Sequence, residues 1–130
     1  MRYMMLIYNR EAEFATPEDL KEISAAHRAV MDETTRQGMF RGADPLKPTS
    51  TATTVRVKNG NAVVTDGPFA ETKEQLAGYY ILDCKDLDEA LEWAAKIHAA
   101  CEGATCVEVR PVFEIRKPPQ EFKTLDHAQS

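Results

Sequence analysis

Residues Thr65–Leu82 read TDGPFAETKEQLAGYYIL: a turn at Asp66-Gly67-Pro68-Phe69, a charged connector, and an apolar, aromatic strand. Gly67 before Pro68 is restricted to extended or glycine-only backbone, and Pro68 has no N–H to donate, so the turn is stiff. Glu71 to Gln75 is long enough for one helical turn, and Ala77 to Cys84 (AGYYILDC) reads as the strand that follows. Just upstream, Thr51 to Lys58 (TATTVRVK) is rich in β-branched residues, Asn59-Gly60 is a two-residue hairpin turn, and Asn61 to Thr65 is the return strand. That turn sets Lys58 against Asn61, Val57 against Ala62, Val55 against Val64 and Thr53 against Asp66. Because strand side chains alternate, Asp66 leaves the hairpin on the same side as Val55, Val57 and Val64. A carboxylate on an apolar side needs a partner or water.

Working outward, Arg2 to Tyr8 (RYMMLIY) is an apolar run that reads as a buried strand. Thr16 offers an N-cap, Pro17 suits the first helical position, and Glu18 and Asp19 lie near the positive helix end. Leu20, Ile23, His27, Val30, Met31 and Thr34 then recur as one face of a helix that a C-terminal glycine, Gly38, ends. Met39 to Leu46 reads as an irregular second strand running into the Pro45 to Pro48 loop. On the far side, Asp86 with Glu89 forms a capping box for a second helix. Leu87, Leu91, Ala94, His98 and Cys101 mark its inward stripe, and Gly103 stops it. Cys106 to Ile115 (CVEVRPVFEI) alternates as the last strand. Residues 1–116 thus make one domain and 117–130 a polar tail. The order of strand, helix, strand, hairpin, strand, helix, strand predicts an α+β, ferredoxin-like sheet with both helices on one face. The other face needs cover, and a second copy of the chain is the simplest source, so a homodimer with sheets face to face is expected.

At 130 residues, with 43% hydrophobic and 28% charged content, the chain suits a single folded domain and excludes disordered and fibrous classes. A net charge of -5 argues against direct nucleic-acid binding. No apolar run approaches the ~20 residues of a membrane span. The start, MRYMMLIYNR, reads as a strand and not as a signal peptide. Cys84, Cys101 and Cys106 are irregularly spaced, as expected of a reduced, cytoplasmic protein, and with scattered histidines they predict neither a metal nor a cofactor. The sequence has no Gly-rich phosphate loop, nucleophile elbow or HExxH motif.

The first candidate site is His27 with Asp66, an imidazole held by a carboxylate that can act as general acid or base. The alternative is a buried histidine satisfied by a carboxylate or carbonyl, contributing only to folding. The second is the stiff turn itself, as a pocket wall that plants Phe69 as an anchor, or else as a rigid corner with Phe69 in the core. The third is the polar set Arg56, Glu71, Lys73, Glu74, Tyr79 and Tyr80. Glu71, Lys73 and Glu74 read as a solvated turn; Arg56, for an anionic group, and Tyr80, for donation or stacking, are the better ligand candidates.

Val64 to Glu74 (VTDGPFAETKE) with Thr53 to Arg56 and Gly78-Tyr79-Tyr80 resembles the DGPF-type branch of the YCII-related family, and Asp88 to Ala94 and Val107 to Val112 continue the likeness. The resemblance covers nearly the whole chain up to Ile115. It implies a dimeric α/β-barrel built from ferredoxin-like protomers. It also implies two roles: an enzyme whose helix-one histidine and turn aspartate share a pocket, here His27 and Asp66, or a regulatory protein associated with extracytoplasmic-function sigma factors. Relatives commonly carry Gly-Gly before the aromatic pair, where this chain has Ala77-Gly78. Two readings follow. One is a dimeric small-molecule-binding or regulatory module with a possible sigma-factor partner. The other is a small-molecule enzyme in which His27 is acid/base, Asp66 orients it and Arg56 holds an anionic substrate group.

Overall fold

A computed structural model describes residues 1–13 and 24–115. Its elements are β1 (Arg2–Asn9), α1 (Ala25–Arg36), β2 (Phe40–Pro45), β3 (Thr53–Lys58), β4 (Asn61–Asp66), β5 (Gln75–Asp83), α2 (Leu87–Ala100) and β6 (Ala104–Pro111). Four strands form one antiparallel sheet in the order β2-β5-β1-β6. Each helix links strands that are separated by one neighbour, which is the ferredoxin-like arrangement expected from the element order. Among the described residues no helix is long and apolar enough to cross a membrane.

The central strand β1 shows why the sheet has two unlike faces. Along it, half-buried and buried residues alternate without a break. Tyr3, Met5 and Ile7 point to the helices and meet Tyr80 and Leu82 of β5, with Val30 of α1 and Ala90, Trp93, Ala94 and Ile97 of α2 closing the core. Met4, Leu6 and Tyr8 point the other way beside Tyr79 and Ile81, and these five are half-buried. Gly78 is required where β5 meets β2: a Cβ there would lie 2.8 Å from the Asp44 carbonyl oxygen.

Local signals place most of the boundaries. Asp86 caps α2, its carboxylate accepting from the Glu89 N–H at 2.9 Å, while the Glu89 carboxylate accepts from the Lys85 N–H at 3.0 Å, one residue earlier than a standard capping box. At the end of α1, Gly38 takes a left-handed φ of 76°, and the Met39 N–H donates to the Thr34 carbonyl at 2.8 Å. The hairpin β3–β4 has the expected register, Thr53 to Asp66 and Lys58 to Asn61, with Asn59 and Gly60 both at positive φ.

Four expectations need correction. Helix α1 begins at Ala25, because Ser24, with φ -58° and ψ 155°, is its N-cap. The signals at Thr16, Pro17, Glu18, Asp19, Leu20 and Ile23 lie outside the described residues, as does the tail from Lys117. Residues 71–74 are not helical, and Gln75 already belongs to β5. There the Thr72 hydroxyl donates to the Glu74 carbonyl at 2.6 Å and the Gln75 amide donates to the Thr72 carbonyl, so side chains take the acceptors a helix would use. In α2 the buried stripe is Ala90, Trp93, Ala94, Ile97 and Ala100, while Leu87, Leu91 and His98 are exposed. Both stripes have helical spacing; the larger Trp93 and Ile97 decide which one turns inward. Finally, the hairpin's apolar side is uncovered within the protomer: Val55, Val57, Val64 and Asp66 are all exposed.

Candidate functional site

The chain's turns at one end of the sheet set the geometry. Strand β1 ends there, α1 starts there, and α2 ends there before β6 returns antiparallel to β1. The Ser24 hydroxyl fastens the two helices, accepting from the His27 N–H at 3.1 Å and donating to the Ala100 carbonyl at 3.4 Å. His27 therefore sits in the first turn of α1, facing inward beside the C-terminus of α2.

Both ring nitrogens of His27 are engaged. Nδ1 lies 2.7 Å from the Tyr80 hydroxyl and Nε2 lies 2.9 Å from Cys101 Sγ. The His27 and Tyr80 rings are nearly parallel, 10° between planes with centroids 5.8 Å apart. Alternation along β5 turns Tyr80 toward the helices, and the end of α2 brings up Cys101.

Burial sets the charge state of all three groups. It lowers the His27 pKa below the ordinary 6.5, pushes the Cys101 thiol up to about 11, and, with Cys101 adding to the effect, pushes the Tyr80 phenol up to about 12. At neutral pH the cluster is a neutral thiol, imidazole and phenol. A neutral imidazole donates from one nitrogen and accepts at the other, so two arrangements satisfy the geometry. In one, the Tyr80 hydroxyl donates to Nδ1 and the Nε2–H donates to Cys101 Sγ. In the other, the Cys101 thiol donates to Nε2 and the Nδ1–H donates to the Tyr80 oxygen. Taking a proton from a third molecule would make the ring an imidazolium that donates to both the Tyr80 oxygen and Cys101 Sγ, and giving it up restores one of the two neutral arrangements, the phenol and thiol keeping their own protons throughout.

Of the residues singled out from sequence, the structure brings His27 and Tyr80 together in this cluster. Asp66 closes the exposed hairpin, and no hydrogen bond joins it to His27. Arg56 is exposed on β3, and Phe69, 75% exposed, stands beyond β4. Gly67 takes the glycine-only φ of 95°, its N–H donating to the Ala52 carbonyl at 2.7 Å and its carbonyl accepting from the Thr54 hydroxyl at 2.8 Å. Glu71 and Lys73 line a separate polar cleft of about 320 Å³ with Arg10, Glu11 and Thr49. Tyr79 lies on the opposite face of the sheet from Tyr80 and donates to Asp44 at 2.7 Å.

Cys101 is the member that sequence reasoning left as an ordinary stripe residue. Topology contained the signal: in a ferredoxin-like order the start of α1 and the end of α2 share one edge of the sheet, so inward residues at those two termini must meet. Among the described residues no group of three or more histidine, cysteine or acidic side chains is placed to hold a metal.

The model of the YCII-related domain matches residues 1–116. The chain belongs to the YCII-related family. It is also similar to an uncharacterised protein of Rhizobium meliloti (strain 1021), 39% identical over 118 residues that span 86% of this chain and 92% of the relative.

Proposed function

We propose that this YCII-related domain works as a homodimer that binds a small molecule at the His27–Tyr80–Cys101 site, with His27 giving or taking a proton. The observation that carries this is the occupation of both imidazole nitrogens by groups that can each donate or accept. A ring with an exchangeable partner on each nitrogen is the arrangement that a histidine acting as acid or base uses. Tyr80 and Cys101 take the orienting role expected of Asp66. The homodimer rests on the half-buried apolar face of Met4, Leu6, Tyr8, Tyr79 and Ile81, which a second sheet would cover. Asp66, Arg56 and Phe69, displayed on the hairpin side, are then available to the second copy. The net charge of -5 favours a second reading, regulation through a basic protein partner such as a sigma factor.

Native mass spectrometry of the protein incubated in a metabolite extract tests the first reading, using wild type, His27→Ala and Asp66→Asn. A dimer that retains a compound in wild type and Asp66→Asn but loses it in His27→Ala is the expected result. Loss in both variants would bring Asp66 into the site across the dimer. A monomer that is empty in all three samples overturns the proposal and leaves the protein-partner reading, which co-purification with a sigma factor would then test.

A further inference from the structure

The β3–β4 hairpin is the largest feature that the His27 site leaves unused. It forms a two-stranded sheet of its own, and of its two six-residue strands only Thr54 is even half-buried. Its register sorts the side chains into two unlike faces. Val55 opposite Val64 and Val57 opposite Ala62 make one face apolar, while Arg56 and Lys58 lie on the other with Thr54 and Thr65. The base is fastened by the Gly67 N–H on the Ala52 carbonyl and the Thr54 hydroxyl on the Gly67 carbonyl, and the tip by the Asn59-Gly60 turn. The arm is therefore formed before anything binds it, so docking it costs little ordering.

Two strands alone are marginal in water, and free edges beside a bare valine face are what β-proteins normally cover. The chain's own C-terminal residues leave from the wrong place to do so. The Val112 N–H donates to the Arg2 carbonyl at 2.9 Å, which puts that exit at the start of β1. The hairpin instead runs into β5 at Gln75, whose register partner is Asn9 at the far end of β1. Charge then selects among other partners. From Thr53 to Asp66 the arm carries Arg56 and Lys58 against Asp66, a net +1, so a chain of net -5 carries -6 outside it. A basic protein is repelled by the arm and a nucleic acid by the body, whereas the arm of one copy is attracted to the body of another. Size points the same way. The open sheet face offers five half-buried apolar residues, short of the ~20–30 residues a side of a stable interface, and the arm adds two six-residue strands.

Resting on the homodimer reading, we propose that the hairpin is a clasp whose Val55, Val57 and Val64 face lies on the second copy of this chain. Two-fold symmetry returns the same contact, so each dimer buries two valine faces. Arg56 and Lys58, on the arm's other face, leave the valines free of charge and draw the arm toward the partner's acidic surface.

Sedimentation equilibrium of the full chain over a dilution series, with isotope-filtered NMR on mixed labelled and unlabelled chains, tests this. In the wild type the methyl groups of Val55, Val57 and Val64 are expected to contact the unlabelled copy. Val57→Lys is expected to raise the dimer Kd at least about tenfold while the Tm of the dilute monomer holds. Val57→Thr should raise Kd by a smaller factor, and serves if the lysine variant does not fold. Val63→Thr, the same change on the cationic face, should alter Kd less than about twofold. A dimer whose Kd is untouched by Val57→Lys, and whose valine methyls meet only their own chain, overturns the clasp and leaves the homodimer standing. Valine contacts that form only when a DNA duplex or a basic protein is added overturn it as well. A wild type that stays monomeric throughout removes the clasp together with the homodimer reading beneath it.

Discussion

Strand β1 and the β3–β4 hairpin carry the same kind of sequence and meet opposite fates. Both alternate, and both gather apolar residues on one side. In β1 that side is covered by two helices, so Tyr3, Met5 and Ile7 are core. On the hairpin Val55, Val57 and Val64 are exposed, uncovered by any described residue, and the pair of strands forms a sheet of its own. A two-stranded sheet alone is marginal in water. Periodicity thus identifies a face, while cover decides whether that face stabilises anything.

Substitutions on the two sides put this contrast to the test. Leu82, fully buried where β5 meets the helices, should show the largest effect: Leu82→Ala is expected to cost about 2–5 kcal/mol in chemical denaturation, through lost transfer energy and the cavity left behind. Gly78→Ala comes next. The added methyl meets backbone that cannot swing away, so β2 must shift, at a cost of about 1–3 kcal/mol; exchange of the β2 amides would report the strand loosening. Tyr80→Phe removes the hydroxyl at His27 Nδ1 from a site where Tyr80 is only 2% exposed, and should cost about 1 kcal/mol. It should also shift the His27 ring signals, a change that repacking at a distance would not produce.

The pH dependence of stability belongs to the covered side as well. Burial lowers the His27 pKa, so the unfolded chain binds that proton more readily; stability should fall as pH drops below 6.5, and His27→Gln should flatten that limb. At the alkaline end the sign reverses. The unfolded thiol ionises near 9.0 while folded Cys101 holds its proton to about 11, so stability should decline as pH rises above 9.0. Cys84, raised likewise to about 11, shares that decline, and Cys101→Ala should therefore reduce the slope without removing it. Urea melts across pH would show both limbs.

The smallest effect is the sharpest test of the contrast. Val57 is 71% exposed in the protomer, so Val57→Ala should change its stability by no more than about 0.5 kcal/mol. A cost above about 1 kcal/mol that grows with protein concentration would show that a second copy covers the hairpin in solution.

The sequence by itself determined the element order, the hairpin register and the ferredoxin-like class, because these rest on local periods, caps and turn residues. It also placed His27 on an inward face and named Tyr80 as a ligand candidate. It could not distinguish the two stripes of α2, which have equal spacing and differ only in how bulky side chains pack. Nor did the alternation that put Asp66 on the apolar side of the hairpin reveal that this side has no cover. Only the tertiary structure decided the company His27 keeps. Its partners come from β5 and the end of α2, 53 and 74 residues away, and pairing at that range is set by how helices seat on a sheet, not by spacing along the chain.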